Sequence, residues 1–217
     1  QFPTTRVENV HGLLLAGRAG TRWAVASQSA RRRLINVPYD IVGCASGSHS
    51  SGKECSMETD SHDVIVTRRF DAPQELIWRA WSDPDQVMRW WGPQGFTSPL
   101  CRMDFREGGT TLVCMRSDQG WEVYNTWTYS SIEPMERIEF VQRFADSDGN
   151  PVAPADLGMP PAIPKEVRHV VSITPLEGTT TELTIHEFGY PDPQTAAVSR
   201  AGMEECLDKM TRSVEAG

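Results

Sequence analysis

Apolar and polar side chains alternate with the two-residue period of half-buried strands over most of the chain from His62 onward. His62–Phe70 reads as a first strand, and Asp71-Ala72-Pro73-Gln74 then supplies a helix start, with Asp71 as N-cap and Gln74 three residues on. The helix expected over residues 74–81 sets Leu76, Ile77, Ala80 and Trp81 on one side. Asp83-Pro84-Asp85-Gln86 repeats the start signal, and this second short helix ends at Gly92-Pro93. Strand-like runs follow over residues 96–106, 110–116, 121–133 and 137–144, broken at Glu107-Gly108-Gly109, at residues 117–120 and at Pro134-Met135-Glu136. A loop over residues 145–165 holds five prolines and is expected to be mobile. Two further runs, 166–174 and 180–188, meet around Glu177-Gly178. Beyond Pro191-Asp192-Pro193 the period changes, and Ala196, Met203, Leu207, Met210 and Val214 fall on one helical stripe.

The predicted order is β–α–α–β–β–β–β–β–β–α. Hairpin-length connections make the sheet antiparallel rather than a set of βαβ units, so the fold class is α+β. Of the 18 aromatic residues, 15 follow Met57, so such a sheet must bury one face. The C-terminal amphipathic helix is the one long element able to cover it. The architecture expected is a curved antiparallel sheet wrapped around that helix, with a ligand-sized cavity between them.

Composition narrows the function classes. The net charge is −8, and residues 1–56 hold seven basic and three acidic residues of the 21 and 29 in the chain. The remainder therefore carries 14 basic against 26 acidic groups, a surface that repels phosphate backbones and argues against nucleic-acid binding. No apolar run approaches the ~20 residues of a membrane-spanning helix. Five widely spaced cysteines with no CxxC pair fit reduced thiols and a cytoplasmic location, although Cys101 and Cys114 could face each other across a hairpin closed at Glu107-Gly108. Residues 1–56 lack a sustained period and end in a Ser/Gly-rich run, which reads as a disordered leader foreign to the domain of residues 57–217. Met57 would serve as a natural start. Vector-derived or mis-assigned upstream sequence is the expectation for this leader, with an organelle transit peptide as the alternative.

Several segments together carry a resemblance. They are Thr67-Arg68-Arg69-Phe70-Asp71-Ala72-Pro73, Trp78-Arg79-Ala80-Trp81, Trp90-Trp91-Gly92-Pro93-Gln94-Gly95-Phe96, Asp104-Phe105-Arg106-Glu107-Gly108-Gly109, and residues 132–138. With the closing residues 202–210 they resemble, in order, the START-like (SRPBCC) superfamily and its bacterial activator-of-heat-shock-protein-90-ATPase-like branch. The resemblance spans residues 62–213. It implies a single helix-grip domain that holds apolar ligands. Nothing in the chain is similar to the additional N-terminal domain with which the eukaryotic activator binds the chaperone.

Strand alternation nominates the side chains that face the interior. Ile138, Phe140, Gln142 and Phe144 share a face, as do Val123, Asn125, Trp127 and Tyr129, then Val167, His169, Val171 and Ile173, then Thr181, Leu183, Ile185 and Glu187. If the last hairpin closes through residues 177–179, His169 lies opposite Glu187. The expected ligand-binding set is Trp90, Trp91, Phe96, Asn125, Trp127, Tyr129, Phe140, Gln142, Phe144, His169, Val171, Ile185, Glu187, Met203, Leu207 and Met210. Asn125, Tyr129 and Gln142 are candidates for orienting a ligand, and Trp90 and Trp91 either wall the cavity mouth or pack in the core. A His–Glu pair in an apolar cleft can do general acid–base work, so His169 and Glu187 are also weak catalytic candidates; the simpler reading is an ion pair or an orienting contact. Asp104 and Arg106 read as a structural salt bridge. No metal-ligand spacing, Walker A, GxGxxG or GxSxG occurs, so neither metal nor cofactor is expected. The leading expectation is a carrier or sensor of a small apolar or aromatic molecule, as a monomer or homodimer. The alternatives are a polyketide cyclase or hydrolase-like enzyme and a co-chaperone module.

Overall fold

A computed structural model describes residues 62–215. The leader over residues 1–56, and the expectations attached to it, lie outside these residues. The elements are β1 (His62–Phe70), α1 (Gln74–Ser82), α2 (Pro84–Trp90), β2 (Phe96–Arg102), β3 (Thr110–Ser117), β4 (Glu122–Glu133), β5 (Arg137–Ala145), β6 (Glu166–Pro175), β7 (Thr181–Tyr190) and α3 (Pro193–Glu215). The seven strands form one curved, unclosed sheet in the order β1-β7-β6-β5-β4-β3-β2, antiparallel at every pairing. Register breaks in β1–β7, β2–β3 and β4–β5 place bulges at both edges and in the middle of the sheet, where they add bend and twist.

The helices all pack against the concave face. The long helix α3 lies chiefly along β1 and α2 and touches β7, burying Ala196, Met203, Leu207 and Met210 of the predicted stripe together with Cys206, while Val214 of that stripe is only partly buried. Asp192 accepts from the Thr195 N–H and hydroxyl at 2.8 Å each, and Pro193 occupies the first turn, where no N–H is needed. At its other half Lys209 donates to the carbonyls of Gly92 (2.8 Å) and Phe96 (3.0 Å), fixing α3 against the α2–β2 connection. Arg68 of β1 pairs with Asp208 at 2.6 Å.

Several local expectations change. Asp71 does not cap α1: Pro73 takes the N-cap place in extended conformation, with no side-chain cap. Gln74, expected to complete a capping box, instead donates to the carbonyls of Met135 and Ile173 at 2.8 and 3.3 Å, steadying a turn in which Met135 has φ +73°. Leu76 is exposed, whereas Ile77, Ala80 and Trp81 are buried. Asp83 does cap α2, accepting from the Asp85 N–H at 2.9 Å. The second strand stops at Arg102, so Asp104 and Arg106 form their 3.0 Å ion pair in the following loop. A Cβ on Gly109 would collide with the carbonyl of Asp104, which explains the second glycine of that turn. Cys101 and Cys114 do not face each other. The register set next to the turn, unbroken from Arg102 opposite Leu112, places Cys101 opposite Val113 and Cys114 opposite Leu100, one residue from the expected pairing; both thiols are free. The proline-rich loop contains a short 3-10 turn, Pro154–Leu157.

The core also differs in one important respect. The terminal helix does not cover the sheet alone: α1 and α2 bring Trp81, Trp90 and Trp91 over the centre of the concave face. Trp81 lies 6.0 Å from Trp127 and 6.3 Å from Phe140 between ring centroids, and Trp91 lies 4.6 Å from Trp127.

Candidate functional site

Four strands supply the floor of the interior because their alternate residues are apolar or aromatic and face the helices. Trp127 on β4 and Phe140 on β5 sit at its centre, 5.2 Å apart. Tyr129 and Phe140 are direct cross-strand neighbours, as are Phe140 and His169, and His169 and Glu187. The predicted His169–Glu187 register is therefore the observed one. Val171 and Ile185 form the next buried pair.

His169 is 2% exposed and stacks on Phe140, with centroids 4.7 Å apart and planes 6° from parallel. Its Nδ1 is 3.8 Å from Glu187 Oε1, beyond hydrogen-bond reach. Burial pushes the imidazole below its ordinary pKa, and the neighbouring carboxylate only partly opposes this. The ring is thus neutral near pH 7, with one N–H and one bare nitrogen. Neither nitrogen has a hydrogen-bond partner among the described residues.

Glu187 is 1% exposed and is held from two other directions. Tyr190 Oη and Ser199 Oγ each lie 2.6 Å from its Oε2, and 2.6 Å from each other. Burial, followed by the adjacent carboxylate, raises the Tyr190 hydroxyl well above the ordinary phenol range. This cluster ties the end of β7 to the first half of α3. Sequence reasoning missed Tyr190 and Ser199. The odd spacing of Tyr190 from Glu187 puts it on the other face of an ideal strand, and Gly189, at φ +87°, turns it inward.

The remaining polar groups divide sharply. Trp90 Nε1 donates to the Ala80 carbonyl (2.8 Å), Trp127 Nε1 to Gln142 Oε1 (3.2 Å), and Tyr129 shares a 2.7 Å hydrogen bond with Thr111. By contrast, Trp81 Nε1, Trp91 Nε1 and both amide atoms of Asn125 are buried without a partner among the described residues. Trp81, Trp91 and His169 each contact the Trp127–Phe140 pair, and Asn125 lies two residues from Trp127 on the same face. Met203, Leu207 and Met210 of α3 are buried in the same core.

Two members of the expected set stand apart. Phe96 packs on Trp121 at 6.2 Å and, like Phe144, is only partly buried and outside the buried core cluster. A separate solvent-open cleft of approximately 360 Å³ lies at the β4–β5 turn, bordered by Gln74, Glu136, Arg137 and Thr174; it shares none of the predicted site residues. Among the described residues no cluster of His, Cys, Asp and Glu could hold a metal ion, and no helix is long and apolar enough to cross a membrane.

An antiparallel sheet gripping a C-terminal helix, with aromatic residues on its concave face, defines a helix-grip protein of the START-like class. Residues 71–215 match the family described as Activator of Hsp90 ATPase homolog 1-like protein, and the chain belongs to that family. Solved structures agree on the fold. A protein from Arthrobacter aurescens is 24% identical with a TM-score of 0.61, over 74% of this chain and 90% of its own. One from Chromobacterium violaceum is 24% identical with a TM-score of 0.58, over 70% and 96%. An AHSA1-like protein from Aeromonas hydrophila is 24% identical with a TM-score of 0.55, over 71% and 93%. No curated protein matches the chain.

Proposed function

We propose that this domain binds a small apolar or aromatic molecule between the concave face of the sheet and the three helices. The observation that carries this reading is the set of buried, unpartnered polar atoms on Trp81, Trp91, Asn125 and His169, placed among aromatic rings. Buried polar groups are nearly always hydrogen-bonded, and each one left unmatched costs about 1–3 kcal/mol. Rings that supply area, with a few polar groups that supply orientation, are the usual composition of a ligand site. An enzymatic reading on His169 and Glu187 is weaker. The two are not hydrogen-bonded to each other, and Tyr190 and Ser199 already engage Glu187. The three described cysteines are free, as a cytoplasmic location would require.

Thermal-shift screening against a panel of hydrophobic aromatic compounds, followed by native mass spectrometry of the hits, tests the proposal. Saturating ligand at roughly 100 times its Kd should stabilise the domain by about 2.7 kcal/mol and raise Tm by several degrees. No shift and no bound mass across the panel would overturn it.

A further inference from the structure

We propose that the free edge of β1 is an interface to which a second copy of this chain adds its own β1, antiparallel, about a two-fold axis through Val66.

The two edges of the sheet are finished differently. At one, β2 is seven residues long, carries the exposed Pro99, breaks register between Thr97 and Leu100, and sends Arg102 to the Ser147 carbonyl at 2.6 Å. A proline, a bulge and a charged side chain are the features that keep an edge from pairing. At the other, β1 has nine residues, no proline or glycine, and a register with β7 that is unbroken from Val64 to Phe70. No strand among the described residues pairs with its outer side. Midway along it Ile65 is 49% exposed, the most exposed large apolar side chain of the described residues.

Two contacts fix which backbone groups face outward. Arg200 of α3 donates to the Ile65 carbonyl at 2.6 Å, so that carbonyl points away from β7. Thr67 and Thr184, directly opposed, bring their hydroxyls to 3.1 Å, the close approach of a pair that exchanges no backbone hydrogen bonds. Alternate residues share a direction, so Asp63, Ile65, Thr67 and Arg69 present N–H and C=O groups at the edge, with their side chains exposed on the convex face.

The side chains select the occupant. When β1 meets an inverted copy about Val66, Ile65 stands opposite Thr67 and Asp63 opposite Arg69, twice over by symmetry. No other register sets Asp63 against Arg69. Opposite charges directly across two strands stabilise the pairing, and the two Ile65 side chains become diagonal neighbours on one face, each covering the other. Asp63 already meets His186, and Arg69 meets Glu182, so the new ion pairs extend those contacts across the axis. Arg200 need not leave, because a carbonyl oxygen has two lone pairs.

Sedimentation velocity of the full chain under reducing conditions should show a reversible monomer–dimer equilibrium in the micromolar range. Ile65→Lys and Thr67→Pro should each weaken it at least roughly tenfold. The first sets like charges beside the axis, and the second removes an outward N–H that the β7 ladder does not use. Arg69→Asp should weaken association, and adding Asp63→Arg to the same chain should restore it, a rescue that local damage would not give. Far-UV circular dichroism confirms that each variant is folded. Val66→Cys sets two thiols at the axis with α-carbons about 4.5 Å apart, within disulfide reach, whereas Val64→Cys holds them four residues out of register. After oxidation, peptide mass spectrometry should find the symmetric cross-link for the first variant and not the second. A monomer at every concentration, or a dimer indifferent to both folded edge variants, would overturn the proposal. So would a cross-link at position 64 instead of 66, or a bond from the introduced thiol to Cys44 or Cys55, which would put the leader on this edge.

Discussion

The two faces of the sheet use polar side chains in opposite ways. On the convex face charged groups meet across neighbouring strands: Arg69 with Glu182 (2.9 Å), Arg168 with Glu139 (2.6 Å), Arg143 with Glu166 (2.7 Å), and His186 with Asp63 (2.9 Å), while Arg137 joins the same Glu139 along β5 (2.6 Å). Arg168 also lies over the Phe188 ring, 4.7 Å from its centroid. Water reaches these groups, so a poor partner costs little. On the concave face the polar groups are fewer and removed from water, and several have no partner among the described residues. There the same chemistry is expensive when unmatched. The cost of unmatched polar groups is therefore concentrated on the concave side, where the proposed binding site lies, while the convex side supplies charged cross-strand pairs.

The largest effect should come from the centre of the concave face. Trp127 is fully buried and touches Trp81, Trp91 and Phe140. Trp127→Ala should destabilise the domain by about 3–5 kcal/mol, the range for truncating a large buried ring. Urea unfolding measures this directly. A loss below about 1 kcal/mol would mean that the interior readily collapses around the missing ring, and the contrast between the faces would fail.

Much of this arrangement is legible in the sequence. The alternation in β6 and β7, with Glu177-Gly178 fixing the hairpin, was enough to put His169 opposite Glu187. The change of period after Pro193 gave the buried stripe of α3. What was not legible depends on the path of elements through space. Ser199 reaches Glu187 only because α3 crosses the end of β7, and no local spacing encodes that crossing. The short helices looked too small to cover the sheet, yet three tryptophans within eleven residues give α1, α2 and the residue that follows them enough reach to fill its centre. The expected Cys101–Cys114 pairing fails for a local reason: the β2–β3 loop sets Arg102 opposite Leu112, so the hairpin centres on Glu107 rather than between Glu107 and Gly108, and every pair next to it moves by one residue.

A middle-sized effect separates the faces by pH. Burial lowers the His169 pKa, so the unfolded chain, with an ordinary histidine pKa near 6.5, binds a proton that the folded chain does not. Stability should be fullest above that value and fall as pH drops below it, by up to about 1.4 kcal/mol per pH unit until the depressed folded-state pKa is reached. His169→Phe keeps a ring against Phe140 and removes the titration, so its unfolding free energy should vary less between about pH 6.5 and 5. The paired carboxylates Glu139 and Asp83 have lowered pKa values from arginine and hydrogen-bond partners, and their losses come at more acid pH. Identical pH slopes for wild type and His169→Phe would show that this histidine is not held neutral by burial.

The smallest effect should lie on the convex face. Arg143 and Glu166 join β5 to β6 through bonds of 2.7 and 3.0 Å, with side chains 38% and 60% exposed. A double-mutant cycle of Arg143→Ala and Glu166→Ala should give a coupling of at most about 1 kcal/mol, because solvent screens the pair and ordering two long side chains offsets much of the attraction. Raising salt to about 1 M, where screening acts within about 3 Å, should reduce the coupling further. A coupling of several kcal/mol that persists in salt would make this ladder a stabilising element comparable with the aromatic core. The convex face would then no longer be the inexpensive side of the sheet, and the division of roles between the two faces would have to be redrawn.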